Sequence, residues 1–344
     1  MLNTSNVKLR PNRVTITPKR QPQTMDRLLH TMVNRANNIR TVEQYTKNFQ
    51  AVKNSFIVSK ASKRKIIDSI NNIYALSTPR TIVMKNGKKI YNFRASFVTL
   101  TLPSKQRHTD VYIKKHLLNQ FLIELKQSYG VENWLWKAEL QKNENIHFHL
   151  ILDKYVDYQA IRRRWNRICN KLEYVDNYSK RMTSMSLSDY HKQRSHYKKT
   201  TFKASAEAYA MGSKHKWMNP NSVDVRSVKC SNDLGAYLAK YITKRIEFDP
   251  DDKEGLKRGL AFGRSWSRSY SLVSLDNVNN IDPMEWVDLL KYLNSKVKTV
   301  LHLVGDYFQA FYYNIDTFPE DLRTELLDFF KDSAIFLGYR LPYG

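Results

Sequence analysis

Apolar residues along this chain recur with two different periods, and the changes between them mark its elements. Ile66, Ile67, Ile70 and Ile73 recur at helical spacing behind Ser62, a side chain suited to an N-cap, so a helix is expected within residues 25–78. Past Pro79, alternation takes over. Residues 81–84 and 90–93 flank Asn86-Gly87, a pair that tolerates the positive φ of a tight hairpin. Phe97-Val98-Thr99-Leu100-Thr101-Leu102 alternates and is rich in β-branched residues, and Pro103 stops it. Residues 110–129 return to helical spacing through Ile113, Leu117, Phe121 and Leu125. Residues 134–140 and 146–152 then read as two strands joined by the polar turn 141–145, and residues 158–172 as an amphipathic helix.

The later pattern is more broken. Residues 177–206 hold many Lys, Arg, His and Ser but one acid, Asp189, and are expected to be a mobile basic insertion. A strand is expected at 223–228, then a helix capped by Ser231 or Asn232 running through Tyr237 to about residue 246. Residues 249–259 read as a loop, followed by a helix at 284–297, a strand at 300–311 and a helix at 320–331. The middle therefore runs strand, helix, strand, strand, helix, strand, helix. That order favours an α+β sandwich with an antiparallel sheet over a doubly wound parallel one. The expected organisation is a basic flexible arm at 1–24, a helical extension at 25–78, a central domain at 79–248 carrying the insertion, and a C-terminal α/β extension at 249–344.

Charge changes the picture. A formal net charge of +25, from 57 Lys+Arg against 32 Asp+Glu, makes a polyanion the natural partner. The 21 Tyr add base-stacking surface. Several function classes drop out. Cys169 and Cys230 stand far apart without a CxxC partner, against both a disulfide framework and a cysteine zinc site, and they fit a reducing cytoplasm. The basic N-terminal segment lacks the apolar run of a secretory signal, and no stretch has the length of a membrane span. Without a G-x-x-x-x-G-K-[ST] loop there is no sign of an ATP-driven module, nor of any small-molecule cofactor.

Two constellations carry chemistry. His147 and His149 flank Phe148, and on a strand i and i+2 share a face, about 7 Å apart by strand rise. If the hairpin folds about Asn143, Glu139 pairs with His147 and Lys137 with His149, so Glu139 joins both imidazoles on one face. Two imidazoles and a carboxylate with open positions suit Mg²⁺ or Mn²⁺ bearing substrate phosphate oxygens. A solvent-facing histidine pair fits the H-x-H spacing equally well. The second constellation is Tyr237-Leu238-Ala239-Lys240-Tyr241-Ile242-Thr243-Lys244, in which Tyr237 and Tyr241 share one helix face and Lys240 and Lys244 flank it. Such spacing also serves core packing. Arg162, Arg163, Arg164 and Arg167 form a basic face suited to DNA, while Arg264, Trp266 and Arg268 read as a solvated basic loop.

The order of the 97–103 strand, Glu139 with His147-Phe148-His149, and Tyr237 with Tyr241 resembles the three motifs of HUH rolling-circle replication initiators. The third is similar to the two-tyrosine form of small single-stranded DNA phages and related plasmid and viral Rep proteins. The resemblance covers roughly residues 95–245. It implies the HUH endonuclease fold, an antiparallel sheet of about five strands flanked by helices, with helical N- and C-terminal extensions here. It implies His147, His149 and Glu139 as metal ligands, Tyr237 and Tyr241 as nucleophiles, and Lys240 at the phosphate, with Lys244 and the arginine face on DNA. Partners would be single-stranded or origin DNA and a host helicase and DNA polymerase, in a bacterial cytoplasm if a phage or plasmid encodes the chain. A relaxase or rolling-circle transposase would share this chemistry. A non-catalytic basic nucleic-acid-binding protein, or a virion protein condensing genome, would share only the charge.

Overall fold

Alternation in the chain becomes strands wherever one face can be buried. The computed structural model describes residues 5–10, 13–18, 60–77, 80–228 save residues 84, 88, 94, 142 and 198, then 261–272, 286–305, 308–314 and short pieces up to 340. In chain order the elements are β1 (Ser5–Arg10), β2 (Arg13–Pro18), α1 (Lys60–Leu76), β3 (Arg80–Val83), β4 (Lys89–Phe93) and β5 (Ala95–Thr101). Next come α2 (Asp110–Ile113), a π-helical turn (Lys114–Leu118), α3 (Asn119–Tyr129), β6 (Trp134–Leu140), β7 (Ile146–Leu152) and α4 (Tyr158–Asn170). Then follow α5 (Tyr174–Thr183), α6 (Leu187–Tyr197), α7 (Phe202–Lys214), β8 (Val223–Val228) and β9 (Trp266–Arg268). The chain continues with α8 (Trp286–Lys296), β10 (Thr299–Gly305), β11 (Phe308–Tyr313), β12 (Ile335–Phe336) and β13 (Tyr339–Arg340). They divide into two compact units, residues 1–95 with 228–250 and 268–344, and residues 96–227 with 251–267.

The second unit is α+β, as expected. Its sheet has five strands in the order β8-β5-β7-β6-β9, and central β7 pairs antiparallel with both β5 and β6. Alternation splits the two faces. Val98 and Leu100 of β5, Ala138 of β6 and Phe148 and Leu150 of β7 are fully buried on one of them. Trp165 of α4 seals that face, edge-on to Phe148 at 6.4 Å and to Phe121 of α3 at 5.6 Å. Its indole N–H donates to the Thr101 carbonyl at 2.7 Å, so the buried ring leaves no polar atom unsatisfied. Removing such a ring costs about 3–5 kcal/mol. The helices are set by local signals: the Asp157 carboxylate caps α4 by accepting from the N–H groups of Gln159 and Ala160, and Gly130 closes α3 with a left-handed φ of 61°.

Three expectations need correction here. Residues 177–206 are not a mobile insertion: they fold into α5, α6 and α7, between α4 and β8. Thr201 caps α7 by accepting from Ala204 N–H, and Tyr174, Val175 and Met182 are buried beneath the charged faces. Composition hid this amphipathic spacing. Trp266 and Arg268 stand in an edge strand rather than a solvated loop, and Ala138 N–H donates to the Ser265 carbonyl at 2.7 Å. The arm at 1–24 contains the hairpin β1–β2, which continues through β11 to β10 as a four-stranded sheet. Val14 and Ile16 are buried, an alternation obscured by the surrounding charge.

Elsewhere in the first unit, β10 and β11 form an antiparallel hairpin where one strand was expected over 300–311. α1 buries Ile66, Ile70 and Ile73, whereas Ile67 is exposed. Arg13 of β2 pairs with Asp68 of α1 at 3.0 Å and donates to the Tyr312 hydroxyl. The terminal extensions therefore carry strands as well as helices. The helices expected at residues 231–246 and, for the most part, at 320–331 lie outside the described residues.

Candidate metal centre

The second face of the five-stranded sheet is polar at its middle. The observed register sets Glu139 opposite His147 and Lys137 opposite His149, as the hairpin argument required. On the other side of β7, Thr99 faces His149 and Thr101 faces His147. Strand alternation thus collects Thr99, Lys137, Glu139, His147 and His149 on one surface.

Their side chains converge. Glu139 Oε2 lies 3.6 Å from His147 Nε2 and 3.4 Å from His149 Nε2, and the three candidate ligand atoms all fall within 4.8 Å of one another. The imidazole rings meet edge to face with centroids 4.5 Å apart. Glu139 is 2% exposed and His149 6%, so the donors are shielded from bulk water. Thr99 Oγ1 sits 3.2 Å from His149 Nδ1, on the ring edge away from Glu139. Lys137 Nζ approaches the other carboxylate oxygen, Glu139 Oε1, at 3.4 Å. Thr99 and Lys137 were not singled out from the sequence. Thr99 becomes legible only once β5 is known to border β7, two strands far apart in the chain.

A divalent cation fits this set. Both ring nitrogens of His147 are buried without a hydrogen bond, which costs free energy unless something else binds them. An ion shared by His147, His149 and Glu139 would recover that cost. Thr99 would hold the second nitrogen of one ligand, as outer-shell partners of metal-bound histidines do.

The arginines of α4 are more committed than a basic face implies. Glu124 accepts from Arg164 at 2.8 Å and also from Arg167. Burial opposes ionisation of Glu124, but hydrogen bonds from Arg167 and Gln120 and the charges of both arginines outweigh it, holding the carboxyl below its ordinary value. Arg162 donates to the carbonyls of Pro220 and Asn219, and Arg163 stays exposed. Cys169 is buried in α4, where burial pushes its thiol pKa well up. Tyr237, Lys240, Tyr241 and Lys244 lie outside the described residues.

The centre thus belongs to an α+β domain whose antiparallel hairpin presents a buried His-His-Glu group able to hold a metal ion. Residues 95–246 match the family model of the replication-associated protein ORF2, which supports a replication-initiation role. The matched segment contains the whole centre and is under half of the 344 residues. No curated protein and no solved structure matches the chain. Among the described residues, no helix is long and apolar enough to cross a membrane.

Proposed function

We propose that this chain is an HUH-type replication initiator of the two-tyrosine kind, nicking and rejoining single-stranded origin DNA by transesterification. The observation that carries the reading is the Glu139-His147-His149 group, inside a segment that matches a replication-associated family. A bound Mg²⁺ or Mn²⁺ would polarise the scissile phosphate, and the two nitrogen donors favour Mn²⁺ of that pair. Tyr237 or Tyr241 supplies the nucleophile. Its phenolic oxygen bonds to phosphorus, the bond from phosphorus to the 3′ oxygen breaks, and the phenolic proton ends on that oxygen. The products are a 5′-phosphotyrosine and a free 3′-hydroxyl. Lys240 offsets charge at the phosphate, and Lys244 with the α4 arginines tracks the backbone. One phosphodiester is exchanged for another, so no ATP is consumed and the second tyrosine can take the strand in the joining step. A host helicase and DNA polymerase would then extend the 3′ end in the bacterial cytoplasm.

The test is a denaturing gel of the protein incubated with labelled single-stranded fragments of its own replicon and Mn²⁺. Wild type should give a shifted covalent band that disappears when Tyr237→Phe and Tyr241→Phe are combined, and the single variants should assign the first nucleophile. Tight binding with no covalent band on any fragment or metal would leave a non-catalytic DNA-binding protein.

A further inference from the structure

The helices α5, α6 and α7 stand apart from the metal centre in sequence, and no step above uses them. They enclose a cleft of about 600 Å³, lined among others by Tyr178, Tyr190, Met211, His215, Trp217 and Met218. That volume lies within the roughly 300–1,000 Å³ of small-molecule pockets. One wall is aromatic: Tyr190, Tyr209 and Trp217 meet pairwise with ring centroids 5.5 Å apart. Tyr178 adds a phenol that burial pushes above its ordinary pKa, so it stays neutral. The rim is soft and open, with Met211 59% and Met218 46% exposed. Methionines so placed adapt to flat partners of varied shape.

The wall is built at a cost. Lys216 and Trp217 both hold positive φ, 50° and 55°, a region that side chains disfavour. Their turn folds the Trp217 indole back over α7, where it packs so closely on Gly212 that a Cβ there would lie 2.2 Å from the ring. Around this apolar wall, residues 187–217 include Lys192, Arg194, Lys199, Lys203, Lys214 and Lys216 against only Asp189 and Glu207. A neutral flat wall inside a cationic setting matches one ligand chemistry closely: an unstacked base whose flanking phosphates meet the cations.

We propose that this cleft is a base-binding subsite for single-stranded DNA, receiving one unstacked nucleobase against the Tyr190–Trp217 wall. It rests on the DNA-binding part of the functional reading and not on the nicking step. In this subsite the lysines supply sequence-independent attraction, while the cleft distinguishes a strand with accessible bases from a duplex. The test is fluorescence anisotropy of the full chain with three labelled oligonucleotides of equal length: a homopyrimidine strand, the same strand with its bases replaced by abasic sites, and a duplex. Wild type should bind the base-bearing strand more tightly than the abasic one by roughly five- to 150-fold, the range for one stacked base. Tyr190→Ala should erase most of that ratio, and so, in part, should the paired exposed variant Met211→Ala/Met218→Ala, which leaves the wall intact. Neither should change the salt dependence of binding, because the phosphate contacts remain. Equal affinity of wild type for base-bearing and abasic strands, or a ratio untouched by both variants, overturns the proposal whether or not a covalent product forms.

Discussion

Replacing Thr99 by Val removes one hydroxyl from the edge of the metal centre and keeps a β-branched side chain in β5. The hydroxyl lies 3.2 Å from His149 Nδ1, and His149 Nε2 faces Glu139. When Nε2 binds a cation, Nδ1 carries the ring proton and donates it to Thr99 Oγ1. Losing an outer-shell partner of this kind typically weakens metal affinity 10- to 100-fold, which corresponds to about 1.4–2.7 kcal/mol. The buried ring nitrogen also loses a partner in the apo protein, a penalty of about 1–3 kcal/mol in stability. Titration calorimetry with Mn²⁺ on wild type and Thr99→Val, paired with urea unfolding, separates the two effects. Thr99→Ser, which restores the oxygen, should recover most of the affinity. An unchanged Mn²⁺ affinity in a folded Thr99→Val protein would refute the role given to this residue and weaken the assignment of His149 as a ligand.

Glu139→Gln should abolish Mn²⁺ binding measurable by calorimetry while leaving single-stranded DNA affinity within about threefold, since the phosphate contacts remain; retained metal affinity would remove Glu139 from the site. Gly212→Ala should destabilise the protein by about 1–3 kcal/mol in urea, because the clash with Trp217 outweighs the helix-propensity gain of about 1 kcal/mol. A rise in the urea midpoint would show that α7 and the indole can separate freely. Glu124 is held below its ordinary 4.5, so its contribution is present above pH 4.5 and is lost as pH falls through its lower folded value. The stability gap between wild type and Glu124→Gln should therefore be widest near neutrality and close in acid, and a gap that stays constant with pH would remove the Arg164 and Arg167 pairing from the stability of this domain.

What could be read in advance depended on the length scale of the signal. The β6–β7 hairpin was legible because alternation on both sides of a short polar turn fixes the register without long-range information, and that register alone places Glu139 beside His147. Thr99 was hidden because its neighbour His149 is 50 residues away and strand order is a tertiary fact. Charge misled twice. In residues 177–206 it drew attention from the buried spacing of Val175, Met182 and Ser205, and near the N-terminus from the alternation of Val14 and Ile16. The break between β10 and β11 was missed because apolar residues continue on both sides of it.

The turn between β6 and β7 is tied to the segment that follows β5. Gln106 N–H donates to Asn145 Oδ1 at 2.8 Å, Ile146 N–H donates to Gln106 Oε1 at 2.7 Å, and Asn145 Nδ2 donates to the Ser104 carbonyl at 2.9 Å. Asn145 is two residues from His147, so the backbone bearing the first histidine is fixed before any ion arrives. An arriving cation therefore finds its donors already arranged and spends little of its binding energy on ordering the chain. Differences in affinity among divalent ions will then report the ions' own size and donor preference rather than how far the protein yields to each.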